Sequence, residues 1–137
     1  MARNAPRAVA TASLTDYFVQ ENGVTFAGCH LLVDLWDARH LTDIAYIEHT
    51  LRRAAEAAAA TILNMELHQF SNSGGVSGVA LLAESHISIH TWPERDFAAI
   101  DIFMCGACNP RNCLPILETS FRPGTMTVNE NRRGVVD

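Results

Sequence analysis

The 137-residue sequence predicts an α+β two-layer sandwich, a largely antiparallel sheet with two helices on one face. Three observations carry that expectation. Several short segments alternate apolar and polar residues as half-buried strands do. An alanine-rich run between them, preceded by Thr42-Asp43, has helical spacing. The elements read strand, helix, strands and then strands, helix, strand, a grouping that favours helices segregated to one side of an antiparallel sheet. The halves echo each other in that order without a convincing sequence repeat.

Val24 to Trp36 alternates loosely and reads as the first strand. Thr42-Asp43 then precedes an amphipathic run from Ile44 to Leu63, which reads as a helix. Asn64 to Phe70 and Val76 to Ala83 read as strands on either side of Ser71-Asn72-Ser73-Gly74-Gly75, a dense turn signal. Ile87 to Trp92 and Phe97 to Cys105 form a second pair, joined across Pro93-Glu94-Arg95-Asp96. Asn109-Pro110 opens a second helix at about Arg111 to Ser120, with Pro115 near its first turn. Thr125 to Asn131 is the last strand.

The stretch from Glu84 to Glu94 concentrates chemistry on one of these strands. Residues two apart share a face of an extended segment, so His86, Ser88 and His90 point one way while Ile87 and Ile89 enter the core. Ser85 stands at the mouth of the strand, after the apolar run Val79 to Ala83. A hydroxyl, a titratable ring and two carboxylates gathered there suggest reaction as well as packing. Against that, a serine in a turn usually bonds backbone, and a strand histidine is often a half-buried residue with a satisfied ring.

Several of these motifs occur together in a known family. Gly75-Val76-Ser77-Gly78, Glu84-Ser85-His86 and Ile89-His90-Thr91-Trp92-Pro93-Glu94 resemble the prokaryotic S-adenosylmethionine decarboxylase proenzymes. The resemblance extends to Gly28 to Asp34, Cys105-Gly106 and Arg133-Gly134, an ordered series over residues 24–134. It departs from the family pattern at Ala107 to Cys113 and at Ser71 to Gly74, where a Pro-containing turn is common.

The resemblance implies that the chain cuts itself between Glu84 and Ser85. Residues 1–15 are expected to be a flexible leader, and 16–137 a single domain cleaved into chains of 1–84 and 85–137. The new N-terminus would be a covalent pyruvoyl group, the cofactor, whose ketone forms a Schiff base with the substrate amine. In that reading Ser85 attacks the Glu84 carbonyl, His90 accepts the proton removed during elimination, and Cys105 later delivers a proton to the substrate. Ser77 would assist near the reacting centre. Phe70 would stack on adenine, and Glu94 would contact ribose or attract the sulfonium. For Phe70, core packing is an equal alternative, and for Glu94 a solvated turn position. The implied assembly is a homodimer with active sites at the protomer interface, which also suits a thin domain that must enclose a nucleoside.

Composition narrows the alternatives. One domain of this length holds a single core. A net charge of −5 without a basic run argues against a nucleic-acid surface, and the apolar stretches are too short to span a bilayer. Charged residues at 18% leave room for one buried oligomer interface. Met1 to Thr15 lacks the apolar centre of a secretory signal, so Cys29, Cys105, Cys108 and Cys113 are expected to be cytoplasmic thiols. All 10 Lys+Arg residues are arginine, so the chain offers no lysine for a pyridoxal Schiff base.

Three rival readings stand beside S-adenosylmethionine decarboxylation. Pyruvoyl chemistry needs only an α-amino acid, so arginine or ornithine could be the substrate. Cys105-Gly106-Ala107-Cys108 with His86 and His90 could hold zinc, although no second Cys-x-x-Cys pair exists and no metal is expected. An unprocessed binding module is the third.

Overall fold

A computed structural model describes residues 18–136, so the expected leader lies outside the described residues. The alternating segments form β1 (Val19–Glu21), β2 (Val24–Phe26), β3 (Gly28–Trp36), β4 (Ile62–Gln69), β5 (Val76–Leu82), β6 (Ser85–Trp92), β7 (Phe97–Met104) and β8 (Thr125–Arg133). The helices are α1 (Ile44–Ala57) and α2 (Cys113–Phe121), with 3-10 turns at Pro93–Arg95 and Pro110–Asn112. Six strands pair in the order β4-β5-β6-β7-β3-β8, and every neighbouring pair is antiparallel.

The period of two decides where the core lies. Leu31, Val33 and Leu35 of β3, Ile87 and Ile89 of β6, and Ile100 and Ile102 of β7 are all essentially inaccessible. They form one cluster with Ile47, Leu51, Ala54 and Ala55 of α1 and Leu117 and Phe121 of α2. Both helices therefore cover the same face, as expected. Burying each large aliphatic side chain contributes about 1.5–3 kcal/mol. The other face carries His30, Leu32, Asp34 and Trp36, then His86, Ser88, His90 and Trp92, none of them buried.

Two elements depart from the sequence reading. The helix expected over 44–63 stops at Ala57, although no Gly or Pro interrupts it. Its C-terminal carbonyls are claimed from outside: Asn112 Nδ2 donates to Ala57 O at 3.2 Å, and Asn109 N–H to Ala58 O at 3.2 Å. Cys108 Sγ adds a donation to Ala59 O at 3.4 Å. These partners satisfy the orphan carbonyls of the helix end. Ala59 adopts a left-handed φ of 64°, and the chain turns back so that Ile62 can pair with Leu82. At the other end, the Asp43 carboxylate caps Tyr46 N–H at 3.1 Å, as a residue before a helix commonly does.

The strand expected over 24–36 is broken at Ala27. Its first part pairs with β1 in a separate two-stranded sheet, and β3 begins at Gly28. The expected later strands match within a few residues, except that β6 starts two residues earlier and includes Ser85.

Gly28 lies where backbones approach closely, because a Cβ there would stand 2.6 Å from the Met104 carbonyl oxygen and 2.9 Å from the Phe103 ring. Gly28→Ala should destabilise the fold by about 1–3 kcal/mol, read as a lower urea midpoint. An unchanged midpoint would show that the β3–β7 junction yields to the extra methyl group.

Candidate active site

The hairpin joining β5 to β6 is only two residues long, Ala83 and Glu84, and Leu82 pairs with Ser85 across it. Closing so short a loop forces Glu84 to a φ of 62°, the left-handed region that a side chain disfavours. Such a residue stores about 1–3 kcal/mol of strain, held here by the pairing on both sides. The strained residue is the one whose carbonyl was expected to be attacked.

That carbonyl is already engaged. Cys105, one residue past the end of β7, donates its thiol to Glu84 O at 2.9 Å. Ser85 Oγ donates to Ala83 O at 3.2 Å, and the residue is 6% exposed. The Cys105 thiol is held above its usual range, first by burial and next by the negative charge of Glu84, while a hydrogen bond with Ser85 works the other way. A raised thiol keeps its proton at neutral pH, so the group rests as a hydrogen-bond donor with a proton to give and not as a thiolate. The sequence placed Cys105 after the carbonyl chemistry; its contact with the Glu84 carbonyl was not visible, because β6–β7 register decides it.

The other expected residues sit elsewhere. Ser77 of β5 pairs with His90 of β6, and Ser77 Oγ lies 2.8 Å from His90 Nδ1. Beside them Phe70 is half exposed and meets the His68 ring edge-on at 4.7 Å. Glu94 is exposed in the 3-10 turn that follows β6. A shallow groove of about 470 Å³ runs along this end, lined by Glu66, His68, Ser77, Val79, Ser88 and His90.

The expected cluster is thus divided within one chain. Ser85 and His90 are five residues apart on an extended strand, roughly 17 Å at about 3.3 Å per residue. An odd spacing also puts them on opposite faces: Ser85 shares the buried side with Ile87 and Ile89, and His90 is exposed on the open side. Glu84, Ser85 and Cys105 form one half-site, while Phe70, Ser77, His90 and Glu94 form the other at the far end of the sheet. The sequence reading that gathered hydroxyl and base on one strand holds for the strand but not for their meeting.

A feature missed from sequence lies between them on the open face. His86, Phe103 and His30 share one rung across β6, β7 and β3, with His30 and His86 centroids 6.4 Å apart. His30 Nε2 is buried without a hydrogen-bond partner and stands 3.6 Å from Asp101 Oδ2. The polar phase of β3 was readable in Cys29-His30-Leu31, but not the rung that aligns it with His86. Among the described residues, no group of three or more His, Cys, Asp or Glu side chains could hold a metal ion, which leaves the zinc reading without a centre.

Comparison with known proteins bears on the same residues. Residues 29–134 match the family model described as S-adenosylmethionine decarboxylase. The S-adenosylmethionine decarboxylase proenzyme of Thermomicrobium roseum is 40% identical over 110 residues, covering 80% of this chain and 95% of that protein. The proenzyme of Methanococcus maripaludis is 42% identical over 113 residues, with coverage of 80% and 92%. The crystal structure of the adenosylmethionine decarboxylase from Aquifex aeolicus superimposes with a TM-score of 0.71 at 32% identity, covering 82% of this chain and 94% of that one.

The strain at Glu84 can be measured without chemistry. In a Ser85→Ala background, Glu84→Gly should stabilise the protein by about 1 kcal/mol, since glycine adopts positive φ at no steric cost. Loss of stability in a urea titration would mean that the Glu84 side chain contributes more than its backbone costs.

Proposed function

The chain belongs to the S-adenosylmethionine decarboxylase family, and from that premise we propose that it matures by cutting itself between Glu84 and Ser85 and works as a dimer whose two chains complete each site. Its activity is the decarboxylation of S-adenosylmethionine to the aminopropyl donor used in spermidine synthesis. Nothing in the comparisons favours arginine or ornithine as substrate.

The observation that carries the maturation reading is the Glu84 carbonyl, strained on one side and hydrogen-bonded by Cys105 at 2.9 Å on the other. Ser85 Oγ attacks that carbonyl, and the developing oxyanion is stabilised by the thiol already aimed at it. Collapse breaks the Glu84–Ser85 amide and leaves an ester. Removal of the Ser85 α-proton expels Glu84 as a carboxylate, and hydrolysis of the resulting enamine releases ammonia. Relief of the Glu84 backbone strain accompanies the cut. The residues thus fit the family's pyruvoyl group, which supplies a ketone as electron sink when formed.

His90 is the base of this scheme, and its position argues for a second chain. Within one protomer it is roughly 17 Å from Ser85 and on the opposite face. A two-fold axis in the interface plane, crossing the strands near Ile87 and Ser88, exchanges the two ends of the sheet. It brings the Ser77–His90 pair of one chain over the Glu84–Ser85–Cys105 corner of the other. Such an isologous interface would also cover Leu32, Trp36, Val79, Leu81 and Trp92, which the open face leaves exposed. The Ser77 bond to Nδ1 leaves His90 Nε2 for the proton.

In turnover, Cys105 delivers a proton to the substrate α-carbon after carbon dioxide leaves. Phe70 and Glu94, on the partner's half-site, bound the nucleoside, Phe70 by stacking and Glu94 at the ribose or sulfonium. Among the described residues no helix is long and apolar enough to cross a membrane. We assign the enzyme to the cytoplasm because Cys105 must remain a thiol there.

Intact-mass analysis should resolve chains of 1–84 and 85–137, and Ser85→Ala or His90→Ala alone should abolish the cut. Co-expression of differently tagged Ser85→Ala and His90→Ala chains should restore cleavage of the His90→Ala chain, because it keeps Ser85 and borrows His90. Persistent full-length protein would sink the trans assignment. Cys105→Ala should slow self-cleavage by about tenfold or more and decarboxylation by about 10²-fold or more. In the uncut chain burial and the Glu84 charge hold the Cys105 thiol above its ordinary range, so self-cleavage should keep its rate through neutral pH and slow only at alkaline pH, where the thiol loses its proton. A rate that already falls across neutral pH would remove the thiol from the oxyanion role.

A further inference from the structure

Cys105-Gly106-Ala107-Cys108 forms a tight turn, with Cys108 N–H donating to Cys105 O at 3.4 Å and Gly106 at a φ of 64°. A hydrogen-bonded turn brings its first and fourth Cα atoms within about 7 Å. Disulfides span about 4.4–6.8 Å between Cα atoms, so the turn is near the geometry a bridge requires. Both cysteines are free and half-buried. Their sulfurs now face different carbonyls, Cys105 toward Glu84 and Cys108 toward Ala59 at 3.4 Å. Thiols are weak donors and neither side chain is branched, so side-chain rotation within the glycine-bearing turn lets them meet. Charge on Cys108 is felt at Cys105, as expected for neighbours.

The other cysteines are poorly suited as partners. Cys113 is fully buried, donates to Ala54 O at 3.3 Å, and burial pushes its thiol up to about 12. Cys29 is committed to Glu130 Oε2 at 3.3 Å on the neighbouring strand.

We propose that Cys105 and Cys108 form a reversible disulfide under oxidation by a hydroperoxide, and that this bridge switches decarboxylation off. The chemistry is a two-electron oxidation. Cys108 sulfur attacks the peroxide oxygen and becomes a sulfenic acid, releasing water when hydrogen peroxide is the oxidant. Cys105 sulfur then displaces the sulfenic oxygen, which leaves as a second water carrying both remaining protons. The bridged Cys105 has no proton to deliver and no S–H to offer the Glu84 carbonyl. A bridge closed over two residues is readily reopened by thiols. The effect on turnover rests on Cys105 as proton donor, whereas the bridge itself does not.

The test uses the processed enzyme, titrated with hydrogen peroxide and assayed for carbon-dioxide release and for non-reducing mass in parallel. The 85–137 chain should lose about 2 Da as activity falls by about 10²-fold or more, and dithiothreitol should reverse both. Peptide mapping should link Cys105 to Cys108. Cys108→Ser should keep basal turnover but show neither the mass loss nor any recoverable inhibition. A bridge to Cys29 or Cys113, or recoverable inhibition in Cys108→Ser, overturns the switch. Full bridging with unchanged turnover would instead remove Cys105 from the donor role.

Discussion

The two-residue period of β6 governs this molecule. The strand lies inside the six-stranded sheet, paired with β5 on one side and β7 on the other. Ile87 and Ile89 must face the helices, because exposing them would forfeit about 1.5–3 kcal/mol each. Once they do, His86, Ser88 and His90 are fixed on the open face and Ser85 on the core side. A one-residue slip would invert every one of these positions, so the packing that stabilises the fold also sets the chemistry. The separation of Ser85 from His90 is a consequence of that register, and it makes the single protomer an incomplete catalyst in the proposed mechanism.

A second constraint ties the reacting corner to the helical layer. Residues 108–112 take up the open carbonyls at the end of α1, through Asn109, Asn112 and the Cys108 thiol. The same loop begins at Cys105, whose thiol reaches the Glu84 carbonyl. Capping the helix therefore anchors the Cys105 thiol against the strained hairpin. Strain at Glu84 persists because pairing of Leu82 with Ser85 leaves only two residues to turn the chain. Function and local strain coincide at a peptide bond that the proposed maturation breaks.

Much of the site was legible before any coordinates. Glu84-Ser85-His86 and the motif ending at Glu94 identified the family, and alternation gave the sides of Ile87, Ile89, His86 and His90 correctly. The residue-level roles came with the resemblance, and the structure adds physical support for Ser85 and Cys105 as neighbours. Alternation puts residues five apart on opposite faces; what it left open was whether Ser85 belongs to the strand at all, which the two-residue hairpin at Ala83 and Glu84 decides. Cross-strand contacts were equally hidden, because the Cys105–Glu84 and Ser77–His90 hydrogen bonds depend on pairing register between strands.

The fold class followed from sequence because burial demands are local and periodic: two apolar faces of different period must cover each other. The length of α1 did not, since alanine favours helix through Ala60 and only donors from residues 108–112 end it at Ala57. The break at Ala27 was equally invisible; Gly28 reads as an ordinary strand residue until the Met104 carbonyl stands where its Cβ would be. Sequence determined which residues seek the core and which family motif they carry. Tertiary structure decided which of them touch, because hydrogen-bond donors, acceptors and close approaches come from segments far apart in the chain.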